Sequence, residues 1–177
     1  MQEMIRNKAN QNPEPGLSRC SPPAKWIWVS EAFEDHVQLA WFRRTVEWAQ
    51  APQRLKLCLS ADTRFRVWWN GYPLGRGPAV GDLGNWSYET YEIDVRSGRN
   101  CLAVEVLFQG RLEALKYIAS RPALIAWSEP AGEPLIRTDA SWRCLLSRAH
   151  APEPPTSESI LPLYTALGAM EAVDGRY

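Results

Sequence analysis

The sequence predicts an all-β chain, an antiparallel β-sandwich of jelly-roll type, and three observations point there. Residues 25–148 fall into nine or ten short runs in which apolar and polar side chains alternate, the pattern of a strand with one face buried. Clusters of Gly, Pro, Asn and Asp punctuate those runs about every 8–12 residues, as in sandwiches and barrels. No segment carries a long helical repeat. A length of 177 residues suffices for one domain with its own core.

Taken in order, residues 1–24 are polar and rich in Asn and Pro and predict an irregular lead-in. Lys25–Val29 predicts the first strand, with Trp26 and Trp28 on one face and Ile27 and Val29 on the other. Glu31, Glu34 and Asp35 form an acidic loop, where calcium is a possible ligand and solvated charge the plainer reading. In 37–48, Ala40, Phe42, Arg44, Val46 and Trp48 share one parity. Leu39, Trp41, Arg43, Thr45 and Glu47 share the other. One of Arg43 and Arg44 is therefore expected to meet a carboxylate in the sheet and the other to face solvent. In the next strand Leu55, Leu57 and Leu59 point inward, with Lys56, Cys58 and Ser60 outward.

Phe65, Val67 and Trp69 then alternate with Arg66, Trp68 and Asn70. The first set belongs to a core and the second to the outer face or a groove. Asn70-Gly71 signals a tight hairpin, because a type I′ turn needs positive φ at both central residues. From Gly75 to Tyr88 the density of Gly and Pro predicts a long loop. It lacks the glycine pattern and helix start of a phosphate-binding loop. Asp82, Asn85, Trp86 and Tyr88 make it the best candidate ligand surface in the chain; the alternative is that Trp86 and Tyr88 simply plug the loop onto the sheet. Planar polar groups fix hydroxyl geometry, and an aromatic face stacks on a sugar ring.

Residues 89–95 form another strand, with Glu92 and Asp94 on one face roughly 6.5–7 Å apart. That is near the spacing of paired glycosidase carboxylates. Such pairs flank a cleft from different strands, so one face of one strand reads as solvated charge. Leu102, Val104, Val106 and Phe108 are core-facing, with Ala103, Glu105 and Leu107 opposite. Residues 111–121 predict a helical turn or an irregular crossover. Strands follow at 123–129, 135–138 and 141–146. Residues 149–177, rich in Pro, predict a linker or strap.

The stretch SADTRFRVWWNGYPLGRGPAVGDLGNWSYETYEIDV, followed by GRNCLAVEVLFQG, resembles the N-terminal β-sandwich domain of bacterial α-L-rhamnosidase-type glycoside hydrolases. More distantly it is similar to the sugar-binding domain of β-galactosidase-type enzymes. The carriers are a strand ending in Asn70-Gly71 and the segment Gly98-Arg99-Asn100-Cys101-Leu102-Ala103-Val104. The resemblance spans Lys25 to Leu146. It implies a galactose-binding-domain-like sandwich, a rhamnose- or galactose-type ligand, and a large catalytic domain that lies elsewhere. The segment 171–176 resembles the point where such enzymes continue into their next domain.

Chemistry for catalysis is sparse. His36 and His150 lack triad or metal-ligand spacing, and no Ser sits in a nucleophile-elbow pattern. Cys20, Cys58, Cys101 and Cys144 lack zinc spacing and read as reduced thiols. Lys plus Arg and Asp plus Glu both number 20, so net charge gives no footprint for nucleic acid or an acidic membrane. The first 24 residues lack the apolar core of a secretory signal, and no run is long enough to span a membrane. A cytoplasmic setting is expected.

The expected function is a non-catalytic carbohydrate-binding accessory domain. Its site is Arg66, Trp68 and Asn70 from the central strand with Asp82, Asn85, Trp86 and Tyr88 from the loop; no cofactor is expected, and a need for calcium stays open. The alternative is a structural sandwich whose outward tryptophans pack on another domain or on a second copy. A free-standing hydrolase is the least supported reading.

Overall fold

The computed structural model describes residues 2–6, 22–30, 37–50, 54–79, 85–110, 121–129, 136–153 and 170–173. Two antiparallel sheets pack face to face, as the alternation predicts. The four-stranded sheet runs β1 (Gln2–Arg6), β6 (Asn85–Asp94), β3 (Arg54–Asp62), β8 (Ala123–Glu129). The five-stranded sheet runs β5 (Tyr72–Gly77), β4 (Arg64–Trp69), β7 (Gly98–Phe108), β2 (Gln38–Trp48), β9 (Arg143–Leu146). No helix among the described residues is long and apolar enough to cross a membrane.

The core is built from the parities the sequence marks as inward. Leu55, Leu57, Leu59 and Ile93 of one sheet meet Phe42, Val46, Phe65, Val67, Leu102, Val104 and Val106 of the other. Most are at most a few per cent exposed. At roughly 1.5–3 kcal/mol per fully buried large apolar side chain, this layer is the main driving force for the sandwich. Trp69 adds a directed link between the sheets: its indole Nε1 donates to the Asp94 carbonyl at 2.9 Å.

Asn70 and Gly71 adopt φ of 52° and 87°, the left-handed pair a type I′ hairpin requires. The Asn70 side chain is then spoken for. Its Nδ2 donates to Asn100 Oδ1 at 3.0 Å, and its Oδ1 accepts from the Cys101 amide at 2.8 Å. Asn100 is fully buried and completes the clasp by donating to the carbonyls of Arg96 at 2.7 Å and Gly98 at 3.1 Å. The two motifs that carry the resemblance are thus opposite halves of one hydrogen-bonded joint.

Several expectations need correction. The lead-in is not wholly irregular, because Gln2–Arg6 pairs along the open edge of β6 with Ile5 opposite Trp86. Lys25–Val29 is not a regular strand; Ile27 makes a single bridge to Leu124, with both amides bonded at 2.9 Å. Residues 136–138 likewise form no named strand but run along β8, with Arg137 bridged to Trp127; Leu135 lies outside the described residues. The loop expected over 75–88 is strand at both ends: β5 runs to Gly77 and β6 begins at Asn85, while residues 80–84 lie outside the described residues. In the tail, His150–Glu153 (β10) and Met170–Val173 (β11) pair antiparallel, so part of the expected strap is a β-pair. The acidic loop at 31–36, the crossover at 111–120 and Cys20 lie outside the described residues.

Cys58 and Ser60 are outward in parity but fully buried. The outer face of the four-stranded sheet carries a second cluster, Cys58, Tyr88, Ile125 and Trp127, with Ala24 packed against it. Arg44 is the half-buried member of the arginine pair, but its partner is not a carboxylate of the sheet. It donates to the Ser141 hydroxyl and, at 3.3 Å, to the Ser141 carbonyl. Burial alone pushes the Asp139 carboxyl up. Hydrogen bonds from Ser141 and the charges of Arg44 and Arg137 hold it below the usual range.

Removing a buried group with several bonded neighbours leaves them unsatisfied. Asn100→Ala is therefore expected to lower unfolding stability by about 2 kcal/mol or more in urea titrations. Arg99→Ala, an exposed neighbour, should stay within about 0.5 kcal/mol. Equal effects would remove the clasp as a stabilising joint.

Candidate functional site

The register of the five-stranded sheet sets out its solvent face in rows. One row runs Leu145, Trp41, Glu105, Arg66, Arg76 across β9, β2, β7, β4 and β5. The next runs Arg143, Arg43, Ala103, Trp68, Pro73. The row on the other side holds Leu39, Leu107 and Arg64. A register shift between Val67 and Trp68 against β5 bends the edge strand at this point, the usual effect of a bulge.

Within these rows Trp41 and Trp68 lie with ring centroids 6.2 Å apart and planes tilted by 35°. Trp41 is 39% exposed. Beside them Arg66 Nε meets Glu105 Oε1 at 2.5 Å. The Glu105 side chain is only 7% exposed and that of Arg66 is 64% exposed. The guanidinium therefore covers a carboxylate sunk between strands. Being half in water, the pair contributes less to stability than its short distance suggests. Its stronger effect is on geometry, since each charge holds the other in one rotamer.

A cavity of about 460 Å³ adjoins this pair. Arg64, Arg76, Glu89 and Leu107 line it together with Arg66 and Glu105. Its wall exists because β5 comes very close to β6. A Cβ at Gly75 would lie 2.7 Å from Tyr91 Cε1, and one at Gly77 would lie 2.5 Å from Glu89 Cγ. Glycine alone fits both places. Glu89 Oε1 accepts from the Ala79 amide at 3.1 Å, and the Tyr91 hydroxyl donates to the Arg76 carbonyl at 3.3 Å. Burial, and then the charge of Glu89, pushes the Tyr91 hydroxyl up to about 12.

The seven residues singled out from the sequence do not form one cluster. Arg66 and Trp68 lie on the face just described. Asn70 belongs to the same hairpin, but both ends of its amide are engaged in the turn. Trp86 and Tyr88 sit on β6, on the outer face of the other sheet, which points the opposite way. Tyr88 is 1% exposed and packs on Trp127 at 5.0 Å between ring centroids, so it offers no face to a ligand. Trp86 packs edge-on against Trp26 at 5.8 Å. Asn85 starts β6, and Asp82 lies outside the described residues.

Sequence reasoning missed Trp41, Glu105 and Arg76. Parity puts Trp41 on the outer side with Arg43 and Thr45, so that signal was present. The carboxylates Glu92 and Asp94 are both held by Arg54, at 3.2 and 3.1 Å, and are well exposed. They are a surface ion cluster, as expected, and no cleft separates them. Among the described residues no group of three or more His, Cys, Asp or Glu is placed to hold a metal ion.

A tyrosine pKa raised on folding stabilises the native state below the free value near 10. That contribution is lost as pH climbs toward the folded value, so stability should fall between about pH 10 and 12. Tyr91→Phe should flatten this fall in pH-dependent urea unfolding, and an unchanged slope would count against the buried hydroxyl.

No protein-family model matches the chain, and no curated protein matches it. Solved structures do. A rhamnosidase of glycoside hydrolase family 78 from Bacillus sp. GL1 matches with TM-score 0.62 and 31% identity, over 72% of this chain and 14% of its own. The α-L-rhamnosidase of Streptomyces avermitilis, solved with L-rhamnose, matches with TM-score 0.50 and 25% identity, over 85% of this chain and 14% of its own. A lectin from Pleurotus ostreatus, solved with GalNAc, matches with TM-score 0.51 over 86% of this chain and 43% of its own. At 20% identity that likeness is one of fold. The chain spans about a seventh of the length of the rhamnosidases it matches. It is similar to a domain-sized part of those enzymes, which bears out the resemblance read from the sequence.

Proposed function

We propose that this domain is a non-catalytic carbohydrate-binding module that holds sugar for a separate catalytic domain, in the manner of an accessory domain of an α-L-rhamnosidase. The observation that carries the reading is the Trp41–Trp68 pair beside the Arg66–Glu105 pair, on a solvent face whose arginines also line a cavity of about 460 Å³. Aromatic faces cover the C–H side of a pyranose and hide apolar area. A guanidinium held in place by a buried carboxylate offers N–H donors in a fixed fork for its hydroxyls. The rhamnosidase neighbours support carbohydrate as the ligand class.

Few hydrogen bonds that must compete with water give modest affinity, roughly millimolar to micromolar. Intrinsic tryptophan fluorescence during titration with L-rhamnose, D-galactose and D-glucose is expected to show a saturable, sugar-selective change. Trp68→Ala or Trp41→Ala should weaken it at least tenfold, and Trp86→Ala should leave it in place. A flat response from a folded chain at high sugar concentration would remove the binding reading.

A second reading has its own observation. Leu145, 67% exposed, lies directly across from Trp41, so the same face carries an apolar edge suited to packing on another domain or on a second copy. Sedimentation velocity separates the two readings. A monomer that binds sugar supports the first, and a dimer broken by Leu145→Glu supports the second.

A further inference from the structure

The charges on this face are unbalanced in a way the whole chain is not. Lys plus Arg equals Asp plus Glu across the sequence. On the solvent side of the five-stranded sheet, however, the register brings together Arg43, Arg64, Arg66, Arg76, Arg99 and Arg143. The carboxylates of the same strands on that side are Glu47 and Glu105. Arg43 and Arg143 stand directly opposite one another on neighbouring strands, an arrangement that costs stability unless an anion lies between or near them.

The cavity concentrates this surplus. Arg64, Arg66 and Arg76 line it, against Glu89 and Glu105. Glu105 is taken by Arg66, and Glu89 accepts from the Ala79 amide. Arg76 is exposed and lies opposite Arg66 in register. No hydrogen bond or ion pair from its guanidinium to a described residue is present, although its carbonyl is used. Two cationic forks side by side at a cavity, with Trp41 farther along the same cross-strand row and Trp68 in the next, match a ring that carries an anionic substituent. Guanidinium groups bind carboxylates and oxyanions bidentately, which neutral hydroxyls cannot exploit as well.

Resting on the carbohydrate reading, we infer that the preferred ligand is an acidic sugar, one bearing a carboxylate or a sulfate ester. The ring lies against Trp41 and Trp68, and its anionic group meets Arg76 beside the Arg66–Glu105 pair. The ion pair keeps Arg66 in place, so that Arg76 is the cation left to be neutralised by ligand. The Glu89 carboxylate sets the limit on approach and directs the anion toward the Arg76 side of the cavity.

Isothermal titration of the chain with D-galacturonate, D-galactose 6-sulfate and D-galactose, at low and at high salt, tests this directly. At low salt at least one acidic sugar should bind roughly three- to tenfold more tightly than galactose. Which of the two does so identifies the anionic group. The advantage should shrink at high salt. It should vanish in Arg76→Met and persist in Arg54→Met, an equal change of charge on the other sheet. Equal binding of all three sugars, or tighter binding of galactose, would overturn the acidic preference and leave the carbohydrate module standing. An acidic preference that survives Arg76→Met would overturn the placement of the anion. Binding of none of these three sugars by a folded chain would overturn the acidic preference, and if L-rhamnose and D-glucose also fail to bind, the carbohydrate reading falls with it.

Discussion

The Asn70–Asn100 clasp is the constraint on which the rest of the solvent face depends. It ties the turn after β4 to the start of β7, and so sets the register between the two strands. Register in a sheet has no small errors, since a slip of one residue sends every side chain to the opposite face. With the clasp closed, Arg66 falls opposite Glu105, and Trp68 falls opposite Ala103, leaving room for Trp41 to approach from β2. Without it, the inward Phe65, Val67 and Trp69 would compete with the outward set for the same core.

The two outer faces of the sandwich have different fates, and this decides where a ligand can sit. The four-stranded sheet buries Tyr88, Trp127, Ile125 and Cys58 in a cluster with Ala24 packed against it, and its Trp86 and Trp127 rings pack on Trp26 and Tyr88. The five-stranded sheet leaves Trp41 and Trp68 at the surface beside charge. Glycines at 75 and 77 bring β5 onto β6 and raise a wall at one side. The open face thereby gains a concave edge, which a flat sheet lacks.

Much of the sandwich was legible because alternation reports burial directly. Leu55, Leu57 and Leu59, or Leu102, Val104 and Val106, have no other consistent reading. The site was legible only in part. Arg66 and Trp68 follow from parity within one strand. Glu105, Trp41 and Arg76 reach them through register across four strands, and no local pattern encodes that. The ends of the stretch 75–88 read as loop because Gly and Pro usually mark loops. Here Gly75 and Gly77 serve close approach, and Tyr88 is drawn into a strand by Trp127. The N-terminal strand escaped notice because its partner is an edge of β6 far along the chain. Asn70 was assigned to a ligand on its parity, but its amide completes a turn.

In the proposed module Trp41 and Trp68, not the tryptophans of the other sheet, meet the sugar. Two-dimensional nitrogen–proton NMR of the indole groups measures this most directly, since the chain has nine tryptophans and each gives its own signal. On addition of sugar the indole signals of Trp41 and Trp68 should shift in a saturable way, while those of Trp69 and Trp127 stay fixed. Movement confined to Trp26 and Trp86, or none at all, would contradict it.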